Sequence, residues 1–267
     1  MANFVMYKNK KVELTLNPQF MMPYMQQAQK AEFLEIQKII NRVYIQKRKP
    51  MRVLDIGVGD GRVPRMLRKT KEWRRKVAAY VGIDNNKKAV EKLKETLVDK
   101  KMKFIYFDAV KLSGANETSI LKKKYDLIWT TYFTAGNFKP IEIKLKTTKL
   151  GIILPYAKSC LNPNKKFIHV FKSAYNLLAE NGNLILGSVY VDTDKNRVRQ
   201  ERFYKKCGME VITSKKDSFT ATQEGFWSQR FTKELIYKYF FWVDKKNISF
   251  VPLDKENFAQ MIIISKT

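Results

Sequence analysis

The sequence predicts an α/β protein: a mostly parallel sheet with helices packed on both faces. Three observations carry this expectation. Between residues 51 and 190, short apolar runs alternate with stretches of helical periodicity, the rhythm of consecutive βαβ units. The first apolar run leads into three glycines at alternate positions, Gly57, Gly59 and Gly61, and a helix follows. The first three runs also carry an acid towards their ends, Asp55, Asp84 and Asp108. That is the carboxyl edge where ligands of open α/β sheets collect.

Taken in order, residues 1–26 read as irregular, with apolar positions at Phe20, Met21, Met22, Tyr24 and Met25. Residues 27–47 place Phe33, Leu34, Ile36, Ile39, Ile40, Val43 and Tyr44 on one side of a helix, and Pro50 closes the link. Residues 1–50 thus form an N-terminal cap ahead of one domain, 51–267. Strands are expected at 52–56, 78–83, 103–107, 127–132 and 184–190, with helices opening at 63–67 and covering 87–97 and 166–178. Residues 138–165, with Pro140, Gly151, Pro155 and Pro163, read as a long irregular loop, a kind usually functional in a compact domain. Past residue 190, strands at 209–213 and 219–221 flank the turn Ser214-Lys215-Lys216-Asp217. Thr232 has the chemistry of an N-cap for a helix over 232–241, and 248–251 and 261–264 close the chain as strands. No fixed-period repeat interrupts this order.

Composition narrows the function classes. With 45% hydrophobic residues in 267, the chain can bury a core without disulfides or metals and is not intrinsically disordered. No apolar run approaches the ~20 residues of a membrane helix, and the first residues lack the apolar segment of a secretory signal. Cys160, Cys207 and the single His169 supply neither a zinc set, a disulfide framework nor a Cys-His nucleophile, so a cytoplasmic, reducing setting is the expectation. The net charge of +27 attracts polyanions in a salt-dependent way. Lysine supplies 40 of the 52 basic residues, however, whereas specific phosphate and base contacts favour arginine forks. An AT-rich coding bias yields the same excess, and the runs 68–76 and 122–124 read as solvated helix and loop surface.

The chemistry gathers in VLDIGVGDGRVPRML. Glycines there let a backbone turn tightly and approach a ligand. The spacing is not the GxGxxG of dinucleotide enzymes, and no phosphate-binding GxxxxGK[ST] stands at this turn. Asp84 is placed to accept hydrogen bonds from both hydroxyls of a ribose. The ordered segments LDIGVGDGR, GIDNN, FDAV, YDLIWTTYFTAGNF and LLAENGNLILGSVY, spanning about 50–190, resemble the class I S-adenosylmethionine-dependent methyltransferases. The resemblance implies a Rossmann-like, seven-stranded sheet with its last strand antiparallel, and S-adenosyl-L-methionine as cofactor. It implies that Asp55 and the backbone of Gly57, Gly59 and Gly61 hold the methionine end, that Asp84 with Asn85 binds the ribose, and that Asp108 with Ala109 meets the adenine. The strand carrying Thr130 and Tyr132 would line the methyl-transfer site. Asp108 serves equally as a helix N-cap.

The place after the fourth strand reads TTYFTAGN, without the [DN]PP[YF] of amino-methylating DNA enzymes. Cys160 lacks the preceding proline of a 5-methylcytosine enzyme, and no Lys-Asp-Lys-Glu set for ribose methylation assembles. The segment is more similar to small-molecule methyltransferases, in which a turn such as that at Asn137 follows the fourth strand and a β insert, here 192–230, caps the acceptor. Tyr24, Tyr132, Asn137, Trp227 and Arg230 are the acceptor-side candidates, drawn from segments 15–26, 134–165 and 217–230 around the site. Trp227 and Arg230 serve equally as anchors of the insert, and Tyr24 with its methionines as core packing. His169 lies off the apolar stripe and reads as surface; Cys207 precedes Gly208 at a helix end. The expected function is methyl transfer to N or O of a small molecule, without a membrane partner and with nucleic acid not favoured as the specific substrate. Two alternatives stand: an RNA or protein methyltransferase exploiting the basic surface, and a non-catalytic interaction protein of the same fold.

Overall fold

The computed structural model describes residues 10–17, 19–117, 123–131, 143–147, 153–157, 164–213 and 218–267. After a short turn of helix, α1 (Lys10–Glu13), the 25-residue α2 (Pro23–Lys47) begins with proline at its first turn, where no donor is lost. It ends at Arg48, which takes a left-handed conformation and returns its N–H to Tyr44 O. Strand β1 (Met51–Ile56) follows, then α3 (Arg62–Arg68) and α4 (Lys71–Lys76). The helix expected to open at 63–67 ends at Arg68, and the Thr70 hydroxyl, which accepts from Trp73 N–H, starts a new one. Next come β2 (Val77–Asp84), α5 (Lys87–Thr96), β3 (Met102–Tyr106), a 3-10 stretch (Ala109–Glu117) and β4 (Tyr125–Thr130). Strands β5 (Ile143–Thr147) and β6 (Ile153–Ala157) pair antiparallel inside the segment expected to be irregular.

Helix α6 (Lys165–Asn176), capped by Asn164, leads into the long β7 (Leu178–Tyr190). The insert opens with α7 (Asp194–Lys206), of which only the end at Cys207 was expected, and continues as the expected strands β8 (Val211–Thr213) and β9 (Phe219–Thr222) and an unexpected third, β10 (Trp227–Gln229). Helix α7 is hard to read because DKNRVRQERFYKK carries few apolar residues; its legible signal is Thr193, whose hydroxyl accepts from Asn196 N–H. Helix α8 (Lys233–Tyr239), capped by Thr232 as expected, and β11 (Ile248–Pro252) and β12 (Ala259–Ser265) complete the chain.

Seven strands form one sheet in the order β11-β12-β7-β4-β1-β2-β3. Strands β1 to β4 and β7 are mutually parallel, and β12 runs antiparallel to both neighbours, as the resemblance implied. Helices on both faces explain why the central strands read as nearly continuous apolar runs. On one face Val53, Trp129 and Ile185 pack with α2, α4, α5 and α7. On the other, Leu54, Ile128 and Leu184 pack with α6, α8 and Leu112 of the 3-10 stretch.

Helix α2 runs antiparallel to the neighbouring strands. Near its end, Lys47 Nζ donates to Asp126 Oδ1 (2.6 Å) and to Glu180 O (2.9 Å), at the start of β4 and β7. Near its beginning, Tyr24 packs on Phe258, which in turn packs on Tyr190 at the end of β7. The amino end of α2 therefore reaches the carboxyl edge of the sheet. No helix of the described residues is long and apolar enough to cross a membrane, and no cluster of metal-ligating side chains occurs among them.

Candidate functional site

The turn after β1 crosses the end of β2. The N–H groups of Gly57 and Val58 both donate to Ile83 O (2.8 and 3.1 Å). Gly59 N–H donates to Asp84 Oδ2 and Asn86 N–H to Asp84 Oδ1, each at 2.8 Å. One carboxylate thus ties the turn to the start of α5. Gly57, Gly59 and Gly61 have φ of 77°, 55° and 80°, the left-handed region, which explains glycine at alternate positions. A Cβ at Gly59 would meet nothing nearer than Gly57 O at 4.0 Å, so the turn faces open space there. Gly61 answers a second need: a Cβ would come within 2.3 Å of Leu93 Cδ2, so any larger residue would displace the Leu93 side chain where α3 starts against α5.

Beneath the turn Asp55 is fully buried. Its carboxyl accepts the Tyr80 hydroxyl from β2, while its other oxygen has no hydrogen-bond partner among the described residues. Loss of water pushes this carboxyl up to about 7, against the lowering influence of Tyr80, the Trp129 indole and the Arg62 guanidinium. The Trp129 N–H falls short of a full hydrogen bond. The same burial, with Asp55 beside it, holds the Tyr80 hydroxyl protonated well beyond its usual range. Asp55 therefore belongs to a buried Asp-Tyr-Trp group under the turn, with no exposed surface.

Asp84 stands half-buried at the end of β2; burial raises its carboxyl, opposed by the backbone N–H groups of Asn86, Gly59 and Asn85. Asp108 is exposed just past β3, and its carboxylate accepts from Val110 N–H (3.0 Å), capping the 3-10 stretch that Ala109 opens. Thr130 ends β4; its buried hydroxyl has no hydrogen-bond partner among the described residues. These positions line the carboxyl edge from β3 to β4 in sheet order, with the turn between them.

Of the acceptor-side candidates, Tyr132 and Asn137 lie outside the described residues. Tyr24 donates to Arg199 O (3.4 Å) and lies under the Arg199 guanidinium, 5.2 Å from the ring centroid; burial pushes its hydroxyl up to about 12. Trp227 is fully buried against Phe219 in the insert. Arg230 is fully buried too: it donates to Asp192 (2.8 Å), Gln200 (2.6 Å) and Thr220 (2.6 Å), knitting β9, β10 and α7 to the end of β7. His169 is exposed beside Ser113 and Val110 O, on the face away from α2. Burial pushes the Cys207 thiol up to about 11, which makes it a poor nucleophile.

Sequence reasoning missed two features at this edge. Glu32, fully buried on α2, pairs with Arg62, the first residue of α3. Its signal was legible: Met25, Ala28, Glu32, Ile36, Ile39 and Val43 form one stripe, with a carboxylate in the middle. The second is a bulge in β7. Gln260 pairs with Val189 and Ile262 with Leu186, so Gly187 and Ser188 together face Met261. Ser188 has φ of 47°, strained for a residue with a side chain, and its buried hydroxyl has no partner among the described residues. Nothing in the sequence marks it.

A family model described as a methyltransferase domain matches residues 47–240. Curated protein sequences yield no match. Among solved structures, the DhpI-SAM-HEP complex superposes with a TM-score of 0.54 at 11% identity, covering 98% of this chain and 96% of that one. SAM-bound CalS10, an amino pentose methyltransferase from Micromonospora echinaspora, gives 0.51 at 11% identity, over 88% and 92% of the two chains. The plantazolicin methyltransferase BamL, in complex with a desmethyl analogue and SAH, gives 0.50 at 16% identity, over 88% and 84%. At such identities the likeness is one of fold.

Proposed function

We propose, since this chain belongs to the methyltransferase-domain family, that it moves a methyl group from S-adenosyl-L-methionine to a nitrogen or oxygen of a small-molecule acceptor. The observation that supports the cofactor is the Gly57–Gly61 turn: three left-handed glycines, open space over Gly59, and a carboxylate from the next strand fixing the turn from beside it. These residues suit a nucleoside that carries an amino-acid side arm. In this reading the turn's backbone lies along the methionine end, over the foundation that Asp55 and Tyr80 provide. Asp84, with Asn85, has carboxylate lone pairs left beyond its two backbone bonds and accepts the ribose hydroxyls. Asp108 and Ala109 lie one strand further on, beside the adenine, and Thr130 borders the methyl-transfer point. Bound there, S-adenosylmethionine supplies a methyl group already electrophilic by virtue of its sulfonium. The side chains then need only align donor and acceptor and exclude water, and proximity supplies much of the rate.

A small-molecule acceptor is supported by the segments that reach this edge. The insert leaves the end of β7 and returns through Phe231, whose N–H donates to Tyr190 O (2.8 Å). The amino end of α2 stands beside it. CalS10 and BamL, which share this fold, are described as an amino pentose methyltransferase and a plantazolicin methyltransferase. The test is transfer of labelled methyl at physiological salt to RNA, DNA and a small-metabolite extract as separate acceptors. Label in a metabolite is the expected result. Label at a defined nucleotide of RNA, with none in metabolites, overturns it.

A further inference from the structure

Three elements meet at the Glu32 carboxylate. It is fully buried on α2, it pairs with Arg62 at the start of α3, and it lies against Gly187 of β7 so closely that a Cβ there would stand 2.2 Å from Glu32 Oε1. Glycine inside a strand weakens it, and here it is the residue that leaves room for the carboxylate. A buried carboxylate is costly unless paired, and an apolar residue on this stripe would hold α2 to the sheet at lower cost. Arg62 is equally unfavourable on local grounds, a cation in the first turn of a helix. Two locally unfavourable charges and a glycine, brought together from three separate stretches of sequence, form a built contact. Its place is telling: Arg62 directly follows Gly61, Gly187 lies one residue past the strand position paired with Thr130, and the Arg62 charge also reaches Asp55.

We infer that Glu32 is a positioning residue. Through Arg62 it fixes the start of α3, and with it the Gly57–Gly61 turn, to the N-terminal helix. The turn then holds its ligand-binding form only while α2 is docked. This rests on the cofactor reading given above. It goes further by making α2, which precedes the matched domain, part of cofactor affinity. Coupling of this kind is reciprocal: what α2 docking adds to ligand affinity, the ligand returns as protection of α2.

The test uses the full chain, with S-adenosylhomocysteine as probe. Glu32→Gln keeps the shape and removes the charge, Arg62→Met removes the partner, and Gly187→Ala displaces the carboxylate with both charges retained. Hydrogen exchange of residues 28–40 and 57–66 without ligand, calorimetric affinity and melting temperature are read for each. All three variants should speed exchange in both segments together and weaken binding on the order of 5- to 150-fold, the usual span of such couplings. The Glu32→Gln/Arg62→Met double variant should bind no worse than the weaker single one. A lower melting temperature with unchanged affinity and unchanged exchange in 57–66 overturns the inference, because the pair then only stabilises the fold. Wild-type protein that fails to bind the probe overturns the cofactor reading instead, and the ligand-free exchange still decides whether α2 and the turn move together.

Discussion

Replacing Asp55 with asparagine should shift the balance of stability towards the variant as pH rises, within a defined window. The carboxyl has its ordinary value of 3.8 in the unfolded chain and is pushed up to about 7 by burial. Below about pH 4 both states hold the proton and the site costs nothing. Between pH 4 and 7 the unfolded chain releases its proton while the folded one keeps it. Stability is therefore lost as pH rises, by about 1.4 kcal/mol per pH unit. A gap of about three pH units gives about 4 kcal/mol as an upper figure, and above pH 7 the loss levels off. Asparagine never ionises, and its side-chain oxygen still accepts the Tyr80 hydroxyl. The assay is urea unfolding of both proteins at pH 4.5, 5.5, 6.5 and 7.5, reading the difference at each pH so that the other titrating groups cancel. The asparagine variant should gain steadily on the wild type across this range. A difference that stays flat refutes the account of Asp55 as a carboxyl raised by burial.

Asp84→Ala removes the acceptor for the Gly59 and Asn86 N–H groups and the expected ribose partner; calorimetry should show cofactor affinity lowered by about 2–3 kcal/mol, roughly 30- to 150-fold, and unchanged binding refutes the assignment. Gly61→Ala sets a Cβ against Leu93 at a φ of 80° and should cost about 1–3 kcal/mol of stability in denaturant unfolding. Arg230→Met leaves Asp192, Gln200 and Thr220 without their shared donor and should cost about 3 kcal/mol, with faster proteolysis within 192–230 as the local sign. Thr232→Ala, which deletes the α8 cap, should cost about 1 kcal/mol; no change in melting temperature would mean that Leu235 N–H finds another acceptor.

Periodicity made the sheet legible, because strands covered on both faces are written as uninterrupted apolar runs. The turn was legible because φ above zero at Gly57, Gly59 and Gly61 requires glycine and leaves a spacing in the sequence. What escaped was stabilised by distant partners. Helix α7 has little apolar stripe, since the insert surrounds Gln200 and Arg230 with polar partners. Strands β5 and β6 pair with each other inside a lysine- and proline-bearing stretch whose composition suggests a loop. Ser188 owes its left-handed backbone to a register shift against β12, which no local pattern records. Trp227 and Arg230 look alike to the sequence as pocket walls or anchors; only the Asp192, Gln200 and Thr220 contacts show how firmly the insert holds Arg230.

The helix before the sheet is part of the site's foundation, although sequence alone sets it apart as a cap. Helix α2 buries Met25, Ala28, Phe33, Ile36, Ile39, Ile40 and Val43. At ~1.5–3 kcal/mol for each larger side chain, that contribution rivals the whole stability of a domain, ~5–15 kcal/mol. Its two ends do different work. Lys47 anchors it to Asp126 and Glu180 O at the amino edge, whereas at the carboxyl edge Glu32 meets Arg62, just past the glycine turn, and the β7 bulge, and Tyr24 meets Phe258 before β12. Tyr24→Phe, which keeps the ring against Phe258 and loses only the hydroxyl bond to Arg199 O, should cost little stability, while substitutions along the buried stripe, Met25 included, should unfold the sheet and the site together.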